Sequence, residues 1–414
     1  MHAMQDDTWH ITARYRSFEV SGSVPHVARA VINLVNVQGP GTIAVAPPCL
    51  PALAEYIDRL DPAGTWRSWW AAAAGQQVEL VDIDQITVAP PCHPLPKTLA
   101  RSGRCLGINV GGHYLRLAWL TNGVVEHSAT IRLGSGRQSV LARATVNDFV
   151  NMVESERCVT GLTNIGIAWS APRTPLGLRA MSILMDNAGE LTDLMHSGRI
   201  DAVLTERFDV PVFSWNDGEA VVAAELMAGS HDSCRPLLAL KLGTSMASGV
   251  ATADGVSALP LQLAKFVLAK QPQCEYEHPQ IGLFGTARDL IGAESILSTY
   301  RTLMAAEGAT YEDFCKAAVA GVPIALRLVR DAADAITEIT SIISGLWSPV
   351  DVVVTGKNLE REDYRSLFTR EVCNSLSTAG AVASLREPGC DHGLVAAIGA
   401  VYLSIGSSAQ LHRH

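Results

Sequence analysis

Charge is scarce in this chain. Charged residues make up 18% of the 414 positions and hydrophobic residues 48%, which describes a well-buried globular protein and excludes a disordered one. Basic charge is the scarcer sign: 32 Lys and Arg stand against 41 Asp and Glu, a net charge of −9, which speaks against nucleic acid as the main partner. No apolar run is long enough to span a bilayer. The opening Met-His-Ala-Met-Gln-Asp-Asp lacks the basic start and apolar stretch of a signal peptide, so a cytoplasmic protein with no membrane partner is expected. The nine cysteines contain no CxxC pair, and an odd, scattered set reads as reduced thiols. Cys274 and His278 stand four apart without a second Cys pair, short of the four ligands of a structural zinc site. A chain of 414 residues exceeds one ordinary core, so two or three domains are expected.

Two stretches carry the chemistry. Cys105-Leu-Gly-Ile-Asn-Val-Gly-Gly-His-Tyr-Leu-Arg116 reads as a strand, a glycine pair and a second strand. A tight Gly111-Gly112 turn lets backbone N–H groups approach a phosphate. Val212-Phe-Ser-Trp-Asn-Asp217 reads as a strand that ends on a carboxylate before an Ala-rich helix, where an acid can take a proton from a hydroxyl. Together they point to phosphoryl transfer from a nucleotide to an alcohol. The same residues have plainer readings. Gly111-Gly112 could be a hairpin turn alone, and Asn216 with Glu219 fits a helix-capping box.

Along the chain, residues 1–100 read as a separate α/β region. Strands are expected at Trp9–Val20, Thr42–Ala46 and Val78–Val88, and helices at Val24–Val35 and Pro51–Leu60. Val45-Ala-Pro-Pro-Cys49 recurs as Val88-Ala-Pro-Pro-Cys92, and Pro91–Pro96 reads as a linker. From Arg104 a meander is expected, Leu106–Val110, Leu115–Thr121 and Val124–Arg132, with Asn122-Gly123 as the hairpin turn. The second half opens in the same way. Pro236–Leu242 runs into Gly243-Thr-Ser-Met-Ala-Ser-Gly249 and another strand, which hints at an internal duplication although nothing aligns residue by residue.

The ordered set Gly107–Gly112, Ile165–Pro172, Asn216-Asp217, Leu242–Gly249, Val353–Gly356 and His392–Ala400 resembles the ROK family of repressors and sugar kinases, within the actin/hexokinase/Hsp70-like superfamily. The resemblance covers about residues 104–405. It implies an α/β, two-lobed actin-like (ribonuclease H-like) kinase fold, here with an extra N-terminal α/β region. The expected divisions are 1–100, a first lobe 101–222 and a second lobe 223–414 whose last helix packs back on the first. It implies ATP and Mg2+ as cofactors and a sugar-like substrate. Asp217 would be the general base, and Asn109, Gly111, Gly112, His113, Gly243, Thr244, Ser245, Gly249, Gly356 and Lys357 the nucleotide-binding set. Asn216, Arg173, Asp186, Asn187, Lys265 and Gln280 would bind substrate. Of these, Arg173 could also clamp an anionic group on its own chemistry, and Asp186-Asn187 is also ordinary turn chemistry.

The departures are specific. The usual first loop, Asp-x-Gly-Gly-Thr, here carries Asn109 and His113. Asn109 is either a weak, water-mediated metal-shell group or a satisfied strand-end amide, because a neutral amide holds a hard cation less well. Ser245 and Ala247 stand where the second loop usually has glycine, and the His and triple-cysteine zinc cluster is missing. The leading expectation is a kinase for a sugar or cyclitol. A repurposed nucleotide or sugar sensor is the alternative. A repressor is discounted, since residues 1–100 hold one lysine and look α/β. Trp66, Trp69 and Trp70 should bury against the main body or a second subunit, making a homodimer the expected assembly.

Overall fold

The structure is a computed structural model that describes residues 8–13, 16–21, 24–38, 42–45, 50–61, 66, 79–81, 92–93, 95–96, 99, 102–134, 140–174, 177–178, 189–229, 235–258, 261–269, 285–347, 350–380 and 383–411. The N-terminal unit contains β1 (Thr8–Ala13), β2 (Arg16–Ser21), β3 (Thr42–Val45) and β4 (Glu79–Val81), in the order β2-β1-β3-β4. The run expected as one strand, Trp9–Val20, is two: β1 and β2 pair antiparallel, with Ala13 opposite Arg16. One strand of that length would span about 40 Å at about 3.3 Å per residue, far beyond the four residues of β3. Folding back supplies its ladder partner instead.

Two helices, Val24–Gln38 and Leu50–Leu60, complete this unit. Val31, Ile32, Leu53, Ile57 and Trp66 are buried in the same hydrophobic core as Leu263, Phe266 and Ile336 of the C-terminal half. Two asparagines fasten the seam. Asn33 Nδ2 donates to the Val267 carbonyl at 3.1 Å, and its Oδ1 accepts from Val267 N at 2.8 Å. Asn36 Nδ2 donates to the Lys265 carbonyl at 2.9 Å, while Asn36 Oδ1 accepts from Trp66 Nε1 at 3.1 Å. Trp66 is fully buried; Trp69 and Trp70 lie outside the described residues. The expected linker is partly a strand. Cys92–His93 forms β5, which pairs antiparallel with β15 (Gly255–Ser257) at a sheet edge, where neighbouring prolines cost no ladder bond.

The first lobe is built on β6 (Arg104–Val110), β7 (Tyr114–Thr121), β8 (Val124–Arg132), β9 (Asn164–Trp169) and β12 (Val212–Asn216), in the order β12-β9-β6-β7-β8. Two short strands, β10 (Arg173–Thr174) and β11 (Gly177–Leu178), form a separate ribbon. The β7–β8 turn holds Asn122 at φ 51° and Gly123 at φ 83°, the left-handed pair that an Asn-Gly hairpin turn requires. The second lobe uses β13 (Leu237–Leu242), β14 (Met246–Thr252), β15 (Gly255–Ser257), β16 (Asp351–Thr355) and β17 (Ser384–Arg386), in the order β17-β16-β13-β14-β15-β5.

The duplication hinted at by the glycine turns is real in the topology. β6 and β13 each pair antiparallel with the next strand and parallel with a later one, β9 and β16. β12 and β17 then extend each sheet in parallel. The fold is therefore α/β, with two lobes of the same plan.

Two helices pack between the sheets, Asp217–Met227 and Val395–Leu411. Their shared core draws Cys105, Leu120 and Ala168 from the first sheet and Ala239, Ala251 and Val353 from the second. Contact is backbone to backbone. A Cβ at Gly399 would run into the Ala220 carbonyl, and one at Gly218 into the Ser248 carbonyl. Among the described residues no helix is long and apolar enough to cross a membrane.

Gly218→Ala should therefore cost about 1–3 kcal/mol by overpacking, read as a shift of the denaturant midpoint. Gly308→Ala, whose Cβ meets nothing within 4 Å, should stay within about 0.5 kcal/mol. Equal effects from the two would contradict the close packing. A chain beginning at Ser102 loses the side chains that cover the second-lobe core, and should aggregate on expression. Recovery of that truncated chain as a soluble protein with an unchanged melting temperature would show the N-terminal unit to be an independent appendage.

Candidate active site

β12 leads directly into the Asp217–Met227 helix, and the capping residue is Asn216, not Asp217. Asn216 Oδ1 accepts from Gly218 N at 2.9 Å, and Glu219 Oε2 accepts from Asn216 N at 2.9 Å. Asn216 Nδ2 donates to the Ala171 carbonyl at 2.8 Å. Every polar group of the Asn216 side chain is thus engaged in holding the strand–helix corner, and Asp217 is left available at the first helical position. Its carboxylate is almost wholly buried, at the end of a helix whose dipole favours negative charge.

The partner of Asp217 is a lysine from the opposite lobe. Lys241, on β13, places Nζ 3.4 Å from Asp217 Oδ2 and 3.4 Å from Asn109 Oδ1 of β6. Both ends of the ion pair are shielded: the side chains of Lys241 and Asp217 are 14% and 9% exposed. Burial pushes the Asp217 carboxyl above the ordinary carboxylate range, and the Lys241 ammonium and helix-start N–H groups pull it partly back. Burial also lowers Lys241, opposed by Asp217 and reinforced by the nearby Arg116 guanidinium. Desolvation thus favours the neutral form of each group, and their mutual attraction favours the charged pair.

The glycine turns meet across the same place. His113 Nδ1 lies 3.1 Å from Thr244 Oγ1, and a Cβ on Gly112 would rest against the same hydroxyl at 3.5 Å. Gly111 N donates to the Tyr114 carbonyl at 3.0 Å and Gly243 N to the Ser245 carbonyl at 2.8 Å, so each turn consumes one amide that a phosphate could have used. Gly356, at φ +117°, lets the chain pass against the Leu242 backbone. Asn358 Nδ2 then donates to the Gly243 carbonyl at 3.0 Å. Lys357 Nζ lies 4.4 Å from the centre of the Tyr114 ring, and the Arg116 guanidinium carbon 5.3 Å from it. Burial lowers Arg116, while Glu360, Tyr114 and Asp391 hold its charge. Three cations, Lys241, Arg116 and Lys357, therefore gather around the two turns.

The other expected site residues are distributed unevenly. Gly249 packs against the Gly218 carbonyl, so its lack of a side chain serves the helix contact. Lys265 is 2% exposed, with Nζ 3.1 Å from Gln262 Oε1, beneath the Val24–Gln38 helix. Burial lowers its pKa strongly. Arg173 lies on β10, with its side chain outside the description, and Asp186, Asn187, Gln280, Cys274 and His278 lie outside the described residues. Ser245 sits in the second turn, half-buried. Sequence reasoning passed over Lys241 and Arg116. A lone lysine in Leu-Leu-Ala-Leu-Lys-Leu was the available signal, because a charge inside a buried strand needs a partner.

Mg2+ does not fit this donor set. Mg2+ at a nucleotide keeps several waters and is held by phosphate oxygens with one or two protein carboxylates free to face it. Here Asn109 is a fully buried amide whose oxygen faces an ammonium, and the Asp217 carboxylate faces the same ammonium. Among the described residues no group of three or more His, Cys, Asp or Glu could hold a metal ion. A phosphate, in contrast, matches the gathered cations.

The two-lobed α/β fold is similar to that of solved ROK-family proteins. A ROK family glucokinase from Streptomyces griseus, solved with glucose and AMPPNP, aligns with a TM-score of 0.56 at 15% identity, over 72% of this chain and 98% of its own. The ROK hexokinase from Thermus thermophilus aligns with a TM-score of 0.53 at 19% identity, over 75% and 100%. A ROK family transcriptional regulator, a homolog of the E. coli MLC protein, aligns with a TM-score of 0.59 at 16% identity, over 94% and 98%. No family model matches the sequence, and no curated protein matches it. At these identities the likeness is one of fold: two actin/hexokinase-type α/β lobes.

The inter-lobe contact can be tested by itself. Thr244→Val removes the hydroxyl that His113 meets and keeps the volume. It should lower the melting temperature by a few degrees, on the order of 1 kcal/mol for one hydrogen bond. No change in a thermal melt would mean that the two turns do not hold each other.

Proposed function

We propose that this chain is a divergent ROK-type kinase that transfers a phosphoryl group from ATP to a hydroxyl of a sugar or cyclitol. The observation that carries this is Asp217: an acid that is not the capping residue, buried at a helix N-terminus between the lobes, beside the glycine turns. The acceptor oxygen would attack the terminal phosphorus, the bond from that phosphorus to the ADP oxygen would break, and the hydroxyl proton would pass to Asp217. In such transfers positioning and electrostatic stabilisation supply most of the rate. Asn109, Gly111, Gly112, His113, Thr244, Ser245, Gly356 and Lys357 form the phosphate side of the site in this reading. The −9 charge favours a small-molecule acceptor over nucleic acid, and a cytoplasmic homodimer belongs to the same reading. The glucokinase and hexokinase likenesses support a carbohydrate acceptor.

A second reading has one specific observation in its favour. The Lys241 ammonium on Asp217 makes the carboxylate a weaker base, which suits a protein that binds nucleotide or sugar as a sensor without turnover.

Asp217→Asn separates the two readings. The amide keeps the shape and cannot take a proton, so turnover on a panel of sugars and cyclitols with ATP should fall by about 10²–10⁴, with circular dichroism unchanged. The wild-type rate should fall as pH drops through the Asp217 pKa, since only the ionised form accepts a proton. Because burial outweighs the other influences on this group, that limb should lie above the usual carboxylate range. Turnover that survives the substitution would remove Asp217 from the chemistry. A wild-type protein that binds sugar and never turns over would establish the sensor.

A further inference from the structure

The Asn109 side chain is fully buried, and its Nδ2 has no hydrogen-bond partner among the described residues. Its orientation follows from its neighbour. An ammonium can only donate, so the atom 3.4 Å from Lys241 Nζ must be the oxygen, and the NH₂ faces the other way. A buried donor left unpaired costs free energy unless something accepts from it. Beside it, Lys241 contributes a shielded ammonium, and Arg116 lies close enough to depress its pKa. On the side of the Asn109 amide and the Lys241 ammonium the groups open to a ligand are donors, and Arg116 adds a nearby positive charge. That side of the site favours an anion.

We propose that Lys241 and Asn109 bind a phosphate group directly, so that this cleft takes a polyphosphate without any divalent cation. The proposal rests on the kinase-type reading of the site and adds to it the identity of the counter-charge. Lys241 Nζ bridges the phosphate and Asp217, and the Asn109 amide finds its missing acceptor in a phosphate oxygen. The ammonium lies on the second lobe and the amide on the first, so the ligand is shared across the cleft. Arg116 and Lys357, gathered at the Tyr114 ring, supply charge for a further phosphate of the same chain. The glycine turns do not need to provide all the donors, which fits the loss of the Gly111 and Gly243 amides to their own turns.

Isothermal titration of the full-length chain tests this with two probes, AMPPNP and inorganic tripolyphosphate, each in EDTA and in excess Mg2+. Both should bind in EDTA, and Mg2+ should not strengthen either. Lys241→Met should weaken both by about tenfold to a hundredfold, the loss of one charge-assisted hydrogen bond. Lys241→Arg, which keeps the charge, should recover part of the loss, so that a merely unfolded Lys241→Met is recognised. Asn109→Asp with Lys241→Gln together leaves two carboxylates and no ammonium, and should make binding depend on Mg2+. AMPPNP bound in Mg2+ and not in EDTA would overturn the proposal and leave the kinase reading standing. Tripolyphosphate bound in EDTA while AMPPNP is not would uphold the proposal and count against a nucleotide. Binding of neither probe, with or without metal, would overturn both.

Discussion

The site depends on two close backbone contacts. The Asp217–Met227 helix touches β14 through Gly218 against the Ser248 backbone, and touches the Val395–Leu411 helix through Ala220 against Gly399. A Cβ at either glycine would collide with the facing carbonyl oxygen and force the elements apart. Without side chains there, the first helical residue of one lobe comes within reach of a strand of the other, and Asp217 meets Lys241. Because the contacts are backbone to backbone in a close-packed interior, small displacements are resisted. The carboxylate is held in place by packing, not by its ion pair.

That placement sets the electrostatics. A buried ion pair is weak evidence for stability, because desolvation can exceed the attraction. Replacing both partners with apolar residues could serve the fold as well. The retention of Lys241 and Asp217 beside Asn109, with Arg116, Lys357 and two glycine turns nearby, therefore fits a ligand better than it fits the fold. The same reasoning separates Lys241 from Lys265. Lys265 sits under the N-terminal unit, beside Gln262 and the Asn36–Trp66 seam, where its burial goes with the attachment of the Val24–Gln38 helix and Trp66 to the second lobe.

Much of this was legible in the sequence, for identifiable reasons. The β6–β8 meander could be read because alternation and an Asn-Gly turn are local signals, and the turn has the expected left-handed pair. The Asn216–Glu219 capping box was equally local. The α/β two-lobed fold followed from motif order, and the structure has it. The duplication could only be hinted at, since it lies in strand pairing and not in residue identity. The β1–β2 hairpin and the β5 edge strand were missed because each is decided by a distant partner, β3 in one case and β15 in the other. Lys241 was missed for the same reason. Its meaning comes from Asn109 and Asp217, which lie 132 and 24 residues away. Gly249 was read as a phosphate-loop glycine, and its neighbour is Gly218, a relation that spacing does not reveal.

In the proposed site two lobes, clamped through glycine contacts, present an ammonium and an amide to one phosphate beside a base. A crystal structure of the chain grown with AMPPNP in the presence of EDTA tests this arrangement most directly. A phosphate oxygen is expected about 3 Å from both Lys241 Nζ and Asn109 Nδ2, the usual hydrogen-bond distance, with the Asp217 carboxylate facing the space beyond the terminal phosphate. A polyphosphate bound elsewhere, with Lys241 still closed on Asn109 and Asp217, would contradict the arrangement.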